Sequence, residues 1–249
     1  MNKHEKLADL RHFLRRYGLP HNRPAVPLGL AEADAVLDGG IKRGALHEVF
    51  AEDWGAGGFA ACLAIRAMGR KPLFWIRTDY AALEYGALSA TGFLELGGDP
   101  KNLLLLRAPN VEEALSAAAD ILACPHLGAV MLELEGHAHA LDLAASRRLG
   151  LIAEESGVPL FLLREGADSR PSAATTRWQV KSLGSRAEDD DWGAPRFLAQ
   201  LTRHRLGGSG EWIMEWNPQD GIFRQETAYP GAVAATSSHR PAEASFRRA

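Results

Sequence analysis

The chain reads as an α/β protein: a mostly parallel sheet covered by helices on both faces, with antiparallel strands added at its C-terminal end. Three observations predict this class. Short, continuously apolar runs alternate with helical stretches between Ala45 and Leu163, the pattern of strands buried on both faces and joined by crossover helices. A glycine-bearing loop links the first of these runs to its helix. After Arg164 the helical period stops, and polar and apolar residues interleave as in strands with one solvated face.

Taken in order, Lys3 to Tyr17 is predicted to form an amphipathic helix, with Leu7, Leu10, Leu14 and Tyr17 at helical spacing and Gly18 and Pro20 ending it. Pro20, Pro24 and Pro27 mark a linker. A short helix (Glu32 to Leu37) and a Gly39-Gly40 turn lead to the first strand, Ala45 to Phe50. The loop Ala51 to Gly58 then feeds a helix from Phe59 to Met68. The expected succession continues with strand Leu73 to Arg77, helix Tyr80 to Ser89, strand Asn102 to Leu106 and helix Val111 to Ala123. Strand Ala129 to Leu134, helix His139 to Glu155 and strand Val158 to Leu163 complete the alternating part. Thr176 to Leu183, Arg196 to Arg203 and Glu211 to Trp216 are the strands of the antiparallel extension, with turns at Arg186 to Trp192 and Gly207 to Gly210. From Gln225 onward apolar content falls while Pro, Ser and Ala accumulate, which predicts a flexible tail. The expected organisation is therefore an N-terminal helix and linker over 1–24, a core over 25–217 and a tail over 218–249.

The composition is that of a globular protein: 249 residues, 46% hydrophobic and 24% charged. A formal net charge of −3 argues against a dominant polyanion-binding surface but leaves room for a local basic strip. Cys62 and Cys124 each sit in an apolar, helix-like segment and are expected to be buried free thiols in a reducing cytoplasm. No apolar run approaches the length of a membrane helix, so no membrane association is expected.

The stretch GALHEVFAEDWGAGGFAA, Gly44 to Ala61, has the strand, glycine loop and helix of a phosphate-binding site. In such loops backbone N–H groups and a helix N-terminus cradle the phosphates, a lysine reaches the β- and γ-phosphates, and the next Ser or Thr ligates magnesium. Gly55, Gly57 and Gly58 are present, but no Lys, Ser or Thr occurs from Ala45 to Ile65. Glu52 and Asp53 place acids where they would repel a triphosphate. The expectation is a nucleotide-binding scaffold without catalysis or cofactor, with Trp54 and Phe59 packed into the vacated space.

Other groups have ordinary structural roles as the alternative to functional ones. His137 and His139 form an HxH near Glu135, but at a strand-to-helix turn such histidines cap a helix or face solvent more often than they bind metal. Arg203, His204 and Arg205 with Arg196 would form a nucleic-acid strip only if Trp212 and Trp216 flanked them.

The order of elements from about Leu28 to Trp216 resembles the RecA-type ATPase core. LGLAEADAVLDGGIKRGALHEVF (Leu28 to Phe50) resembles that core's lead-in to the P-loop. LGAVMLELE (Leu127 to Glu135) resembles its Walker B strand, with Glu133 in the magnesium-acid position. LFWIRTDYA (Leu73 to Ala81) resembles the strand that carries the water-activating glutamate, a place taken here by Asp79. ATTRWQV (Ala174 to Val180) and TRHRLGGSGEWIMEW (Thr202 to Trp216) carry the likeness to the SulA-like, ImuA branch, the RecA-related damage-inducible mutagenesis proteins of bacteria. The resemblance implies a RecA-like three-layer α/β/α core.

Where recombinases carry long DNA-binding loops, this chain has only Glu135 to Ala138 and the short stretch Glu165 to Ala174, so filament-type DNA gripping is not expected. The resemblance implies a non-catalytic adaptor of SOS-induced translesion synthesis. Its partners would be a polymerase-like ImuB protein and, through it, an error-prone replicative-type polymerase α subunit. The contacts are expected on Tyr229, Val233 and Phe246 of the tail and on Leu7, Leu10 and Leu14 of the N-terminal helix. Weak DNA contact, and self-association or RecA contact through the N-terminal helix, stay open. So do two other readings: a RecA/KaiC-type ATP-binding protein with a non-standard P-loop, and a SulA-like cell-division inhibitor.

Overall fold

The computed structural model describes residues 23–185 and 193–225. Within them one nine-stranded sheet runs in the order β3-β2-β4-β5-β1-β6-β7-β8-β9. Strands β1 (Leu46–Ala51), β2 (Leu73–Thr78), β3 (Leu103–Ala108), β4 (Ala129–Glu135), β5 (Leu160–Glu165) and β6 (Thr176–Leu183) are parallel to one another. Strands β7 (Arg196–His204), β8 (Gly210–Asn217) and β9 (Ile222–Gln225) extend the sheet antiparallel from β6.

The sequence pattern grouped β6 with the antiparallel strands. Pairing shows it to be the junction: it lies parallel to β1 on one side and antiparallel to β7 on the other. Its outer edge pairs antiparallel with β7, the next strand in sequence, although its inner edge is in the parallel sheet. Strand β9 lies beyond residue 217, and its Phe223 is fully buried. The folded sheet therefore runs past the boundary drawn from composition, because one large aromatic suffices to anchor a four-residue strand.

Six α-helices are described. Helices α1 (Ala31–Val36), α2 (Gly57–Met68) and α4 (Ala90–Glu95) cover one face of the sheet, while α5 (Val111–Leu122) and α6 (Leu143–Ser156) cover the other. Helix α3 (Asp79–Glu84) follows β2 directly. The first face is the more aromatic, because α2 packs across both halves of the sheet. Phe59 lies 5.5 Å from Trp178, 5.6 Å from Phe197 and 5.1 Å from Phe223, measured between ring centres.

Four of the six described helices, α3 to α6, start at side-chain caps. Thr78, Ser89, Asn110 and Asp142 each accept a hydrogen bond from the backbone N–H three residues on, which satisfies a donor the helix itself leaves open. These caps correct two expectations. The helix expected over Tyr80 to Ser89 ends at Glu84, ahead of Gly86 with its left-handed φ of 75°, and Ser89 instead caps a separate helix, α4, that was not expected. The helix expected from His139 begins at Leu143, where Asp142 caps it. Gly157 closes α6 with φ of 77°, a conformation that costs glycine nothing.

Cys62 is buried in α2 as expected, and burial pushes its thiol well above the ordinary value. Cys124 is exposed, because it falls past the end of α5 rather than on its inner face. The N-terminal helix Lys3 to Tyr17, the turn Arg186 to Trp192 and the tail from residue 226 lie outside the described residues.

Candidate functional site

The loop after β1 is short and tied down. Residues Trp54–Ala56 form a single 3-10 turn, and α2 begins at Gly57. Asp53 caps that turn: its Oδ1 accepts the Ala56 N–H at 2.9 Å and the Ser182 hydroxyl at 2.7 Å, and its Oδ2 accepts the Ser182 N–H at 2.9 Å. Burial alone would raise the Asp53 carboxyl, but the hydrogen bonds from Ser182, Ala56 and Gly55 outweigh it and hold the group below the usual carboxylate range. Gly55 is pressed so closely against Ser182 that a Cβ there would lie 2.7 Å from the Ser182 Oγ. A carboxylate of the chain itself thus holds N–H groups that a phosphate-binding loop presents to its ligand.

The expected filling by Trp54 and Phe59 does not occur. Trp54 is 76% exposed and meets Tyr85 edge-on at 5.4 Å. Phe59 points into the aromatic core beneath the antiparallel strands. A cavity of about 270 Å³ remains beside the loop, lined among others by Gly57, Trp75, Arg77, Phe93, Glu133 and Glu165.

The floor of that cavity is a set of charges at the C-terminal ends of three adjacent parallel strands. Arg77 and Glu133 occupy the same register position on β2 and β4, so their side chains leave the sheet side by side. The Arg77 Nη2 lies 2.8 Å from Glu133 Oε1, with the side chains 9% and 5% exposed. The Trp75 indole donates to Glu133 Oε2 at 2.9 Å. Both oxygens of the acid in the Walker B position are therefore engaged by protein donors, and a magnesium ion does not fit there without breaking a buried ion pair. Next to it, Thr78 donates to Glu135 at 2.6 Å. Burial first, and then the Glu133 carboxylate, push the Glu165 carboxyl up to about 7, with Arg77 acting in the opposite direction.

Asp79 is not part of this cluster. It begins α3 and pairs with Arg107 of β3 at 2.9 Å, with both side chains about half exposed. Among the residues singled out from sequence, the structure brings together Gly57, Gly58 and Glu133 around the cavity and leaves Asp79 outside it. Trp75, Arg77, Glu165 and Ser182 were not foreseen. A signal for two of them was present: Trp75 and Arg77 stand two apart at the end of an apolar strand, the spacing that puts both on one face.

On the other face Glu48 forms a second buried ion pair with its register partner Arg177, at 2.8 Å. Arg177 also bonds Ser169 and the Arg170 carbonyl, which pins the short stretch after β5 to the sheet. Gly136 donates to the Glu165 carbonyl at 2.7 Å, tying the turn after β4 to the end of β5. The turn after β4 and the stretch after β5 are thus fixed to the body of the protein.

The basic strip is not flanked by aromatics. Trp212 and Trp216 are buried, Arg203 donates to the Ser172 carbonyl and Arg196 to the Gly184 carbonyl. His137 lies 3.6 Å from Asp168 and His139 is exposed, and no group of three or more metal-ligating side chains occurs among the described residues. Leu7, Leu10, Leu14, Tyr229, Val233 and Phe246 lie outside the described residues. No described helix is long and apolar enough to cross a membrane.

No family model matches the chain. Protein ImuA of Caulobacter vibrioides, from strains NA1000 and CB 15, is 35% identical over 140 residues, 51% of this chain and 56% of each relative. The chain thus spans about half the length of the curated relatives it matches. The crystal structure of the RadB recombinase superposes with a TM-score of 0.56 over 78% of this chain and 97% of that one, at 16% identity, a likeness of fold alone. The chain is thus similar in sequence to protein ImuA over about half its length, and similar in fold to the RadB recombinase.

Proposed function

We propose that this chain is a non-catalytic RecA-like adaptor of SOS-induced mutagenic translesion synthesis. It recruits a polymerase-like ImuB protein and, through it, an error-prone replicative-type polymerase α subunit. The reading is carried by the Asp53 cap, which ties the loop to Ser182 where a nucleotide's phosphates would be held. Phosphoryl transfer depends on positioning and on cations that stabilise charge. The loop has no lysine or hydroxyl, and the cation nearest Glu133 is the fixed guanidinium of Arg77. The same features weigh against ATP binding through a non-standard P-loop.

A chain without chemistry acts through contacts. Trp54, Tyr80, Leu83 and Leu94 are 58–81% exposed on the loop, α3 and α4, a concentration of large apolar side chains that suits protein association. Further anchors are placed on Tyr229, Val233 and Phe246 and on Leu7, Leu10 and Leu14.

Co-purification from DNA-damaged cells tests the reading. The full chain is expected to retain the polymerase-like partner, and a chain lacking 226–249 to fold but lose it together with damage-induced mutagenesis. Purified protein is expected to show no ATP turnover above a buffer blank, with or without single-stranded DNA. ATP turnover that disappears in Glu133→Ala would overturn the proposal, and capture of the division GTPase instead of a polymerase-like protein would favour a SulA-like inhibitor.

A further inference from the structure

At the opposite end of the sheet from the loop, Arg23, Arg43, Arg70 and Lys71 line one cavity of about 480 Å³, together with Ser156 and Gly157. Arg43 precedes β1, Arg70 and Lys71 join α2 to β2, and Arg23 comes from the lead-in segment. The chain folds so that four cations from three separate stretches face the same space. Gly157 makes room for one of them, since a Cβ on it would lie 0.6 Å from the Arg23 Nη1. No Asp or Glu lines the cavity, and none of the four cations has an ion-pair partner among the described residues. Elsewhere Arg77, Arg107, Arg177 and Arg224 each hold a carboxylate.

An ordinary role for such cations is to complement helix C-termini, and α2 and α6 both end here. The charges do not match that role. Two helix ends supply about half a negative charge each, which leaves roughly three of the four positive charges uncompensated. Arg43 is partly buried, and burial pushes its guanidinium below the ordinary value with no anion to offset the cost. With a chain net charge of −3, this concentration is local rather than a sample of a basic surface.

We propose that this cavity is a binding site for closely spaced phosphates. They would belong either to a free polyphosphate or to successive phosphates of a single-stranded nucleic acid. Guanidinium forks match phosphate oxygens in pairs, and a small enclosure with several cations favours an anion whose charges are packed close together over carboxylates strung along a peptide. The site is independent of the loop after β1 and of partner recruitment.

The test uses the full chain at low salt with two probes, inorganic tripolyphosphate and a labelled single-stranded oligothymidylate. Tripolyphosphate is expected to bind, and to weaken by roughly tenfold for each cation removed, hence about a hundredfold in Arg70→Glu/Lys71→Glu. Arg70→Gln/Lys71→Gln guards against misfolding by charge reversal and should weaken binding in the same direction. Arg147→Glu/Arg148→Glu, the same change on an exposed part of α6 away from the cavity, should leave it intact. If the oligothymidylate binds and tripolyphosphate displaces it, the site takes a nucleic-acid backbone; if only tripolyphosphate binds, it takes a free polyphosphate. Absence of tripolyphosphate binding, equal binding by an oligoglutamate peptide, or unchanged affinity in both cavity variants would each overturn the proposal.

Discussion

Arg77→Met is the substitution that tests the site most directly. In the folded protein the Arg77 guanidinium and the Glu133 carboxylate are 2.8 Å apart, with side chains only 9% and 5% exposed. Methionine replaces the stem of the arginine but not its charge, leaving Glu133 with the Trp75 indole as its remaining partner. Breaking a buried pair from one side costs about 3–5 kcal/mol, because a charge stays behind without compensation. Removing both charges is different. Arg77→Met/Glu133→Leu takes away the desolvation cost along with the attraction and should lie within about 1 kcal/mol of the wild type.

The two single variants and the double variant form a cycle, measured as urea midpoints at constant slope. A loss below about 1 kcal/mol in Arg77→Met, or additive single effects, would refute the view that this pair is a closed structural unit.

Three further outcomes follow from the same geometry. His47 is fully buried between Thr176 and the Lys42 carbonyl, and burial pushes it down to about 4. Its stabilisation, about 3 kcal/mol, is complete above pH 6.5 and lost as pH falls toward 4. Glu165, raised to about 7, acts in the opposite sense: its contribution is complete below pH 4.5 and lost as pH rises through 7, roughly 2 kcal/mol after allowing for its partial exposure. The wild type should therefore change by no more than about 1 kcal/mol between pH 7 and 4.5, while Glu165→Gln should lose about 2 kcal/mol across that range, and a flat profile in the variant would contradict this. Asp53→Ala should cost about 1–3 kcal/mol by leaving the Ala56 and Ser182 donors unsatisfied, read as a fall in melting temperature. Phe59→Ala should cost about 3–5 kcal/mol in a denaturation experiment, and Trp54→Ala no more than about 0.5 kcal/mol, because only the first is buried.

The class of fold was legible because it depends on periodicity, which is local. Apolar runs at β1, β2, β4 and β5 can be buried on both faces only in a covered parallel sheet, and helices between them supply the cover. The absence of Lys, Ser and Thr from the loop is likewise a property of composition. What Asp53 does there was not legible. Read along the chain it is an acid that repels phosphate; in the folded protein it is a cap whose partner, Ser182, lies 129 residues away.

The same division holds for the aromatics and the ion pairs. Trp54 and Phe59 stand five residues apart in one loop-helix junction, and their sequence context does not distinguish a surface residue from a core one. The distinction comes from the strands laid against α2, since Trp178, Phe197 and Phe223 provide the surface that buries Phe59. Arg77 and Glu133 become partners only because β2 and β4 are neighbours in that register. The sequence by itself determined the alternation of strands and helices and which residue types the loop lacks, for those are matters of local pattern and residue type. Which charges meet, which aromatics are covered and where the cations converge were decided by long-range strand order, because it brings together residues that no local pattern connects.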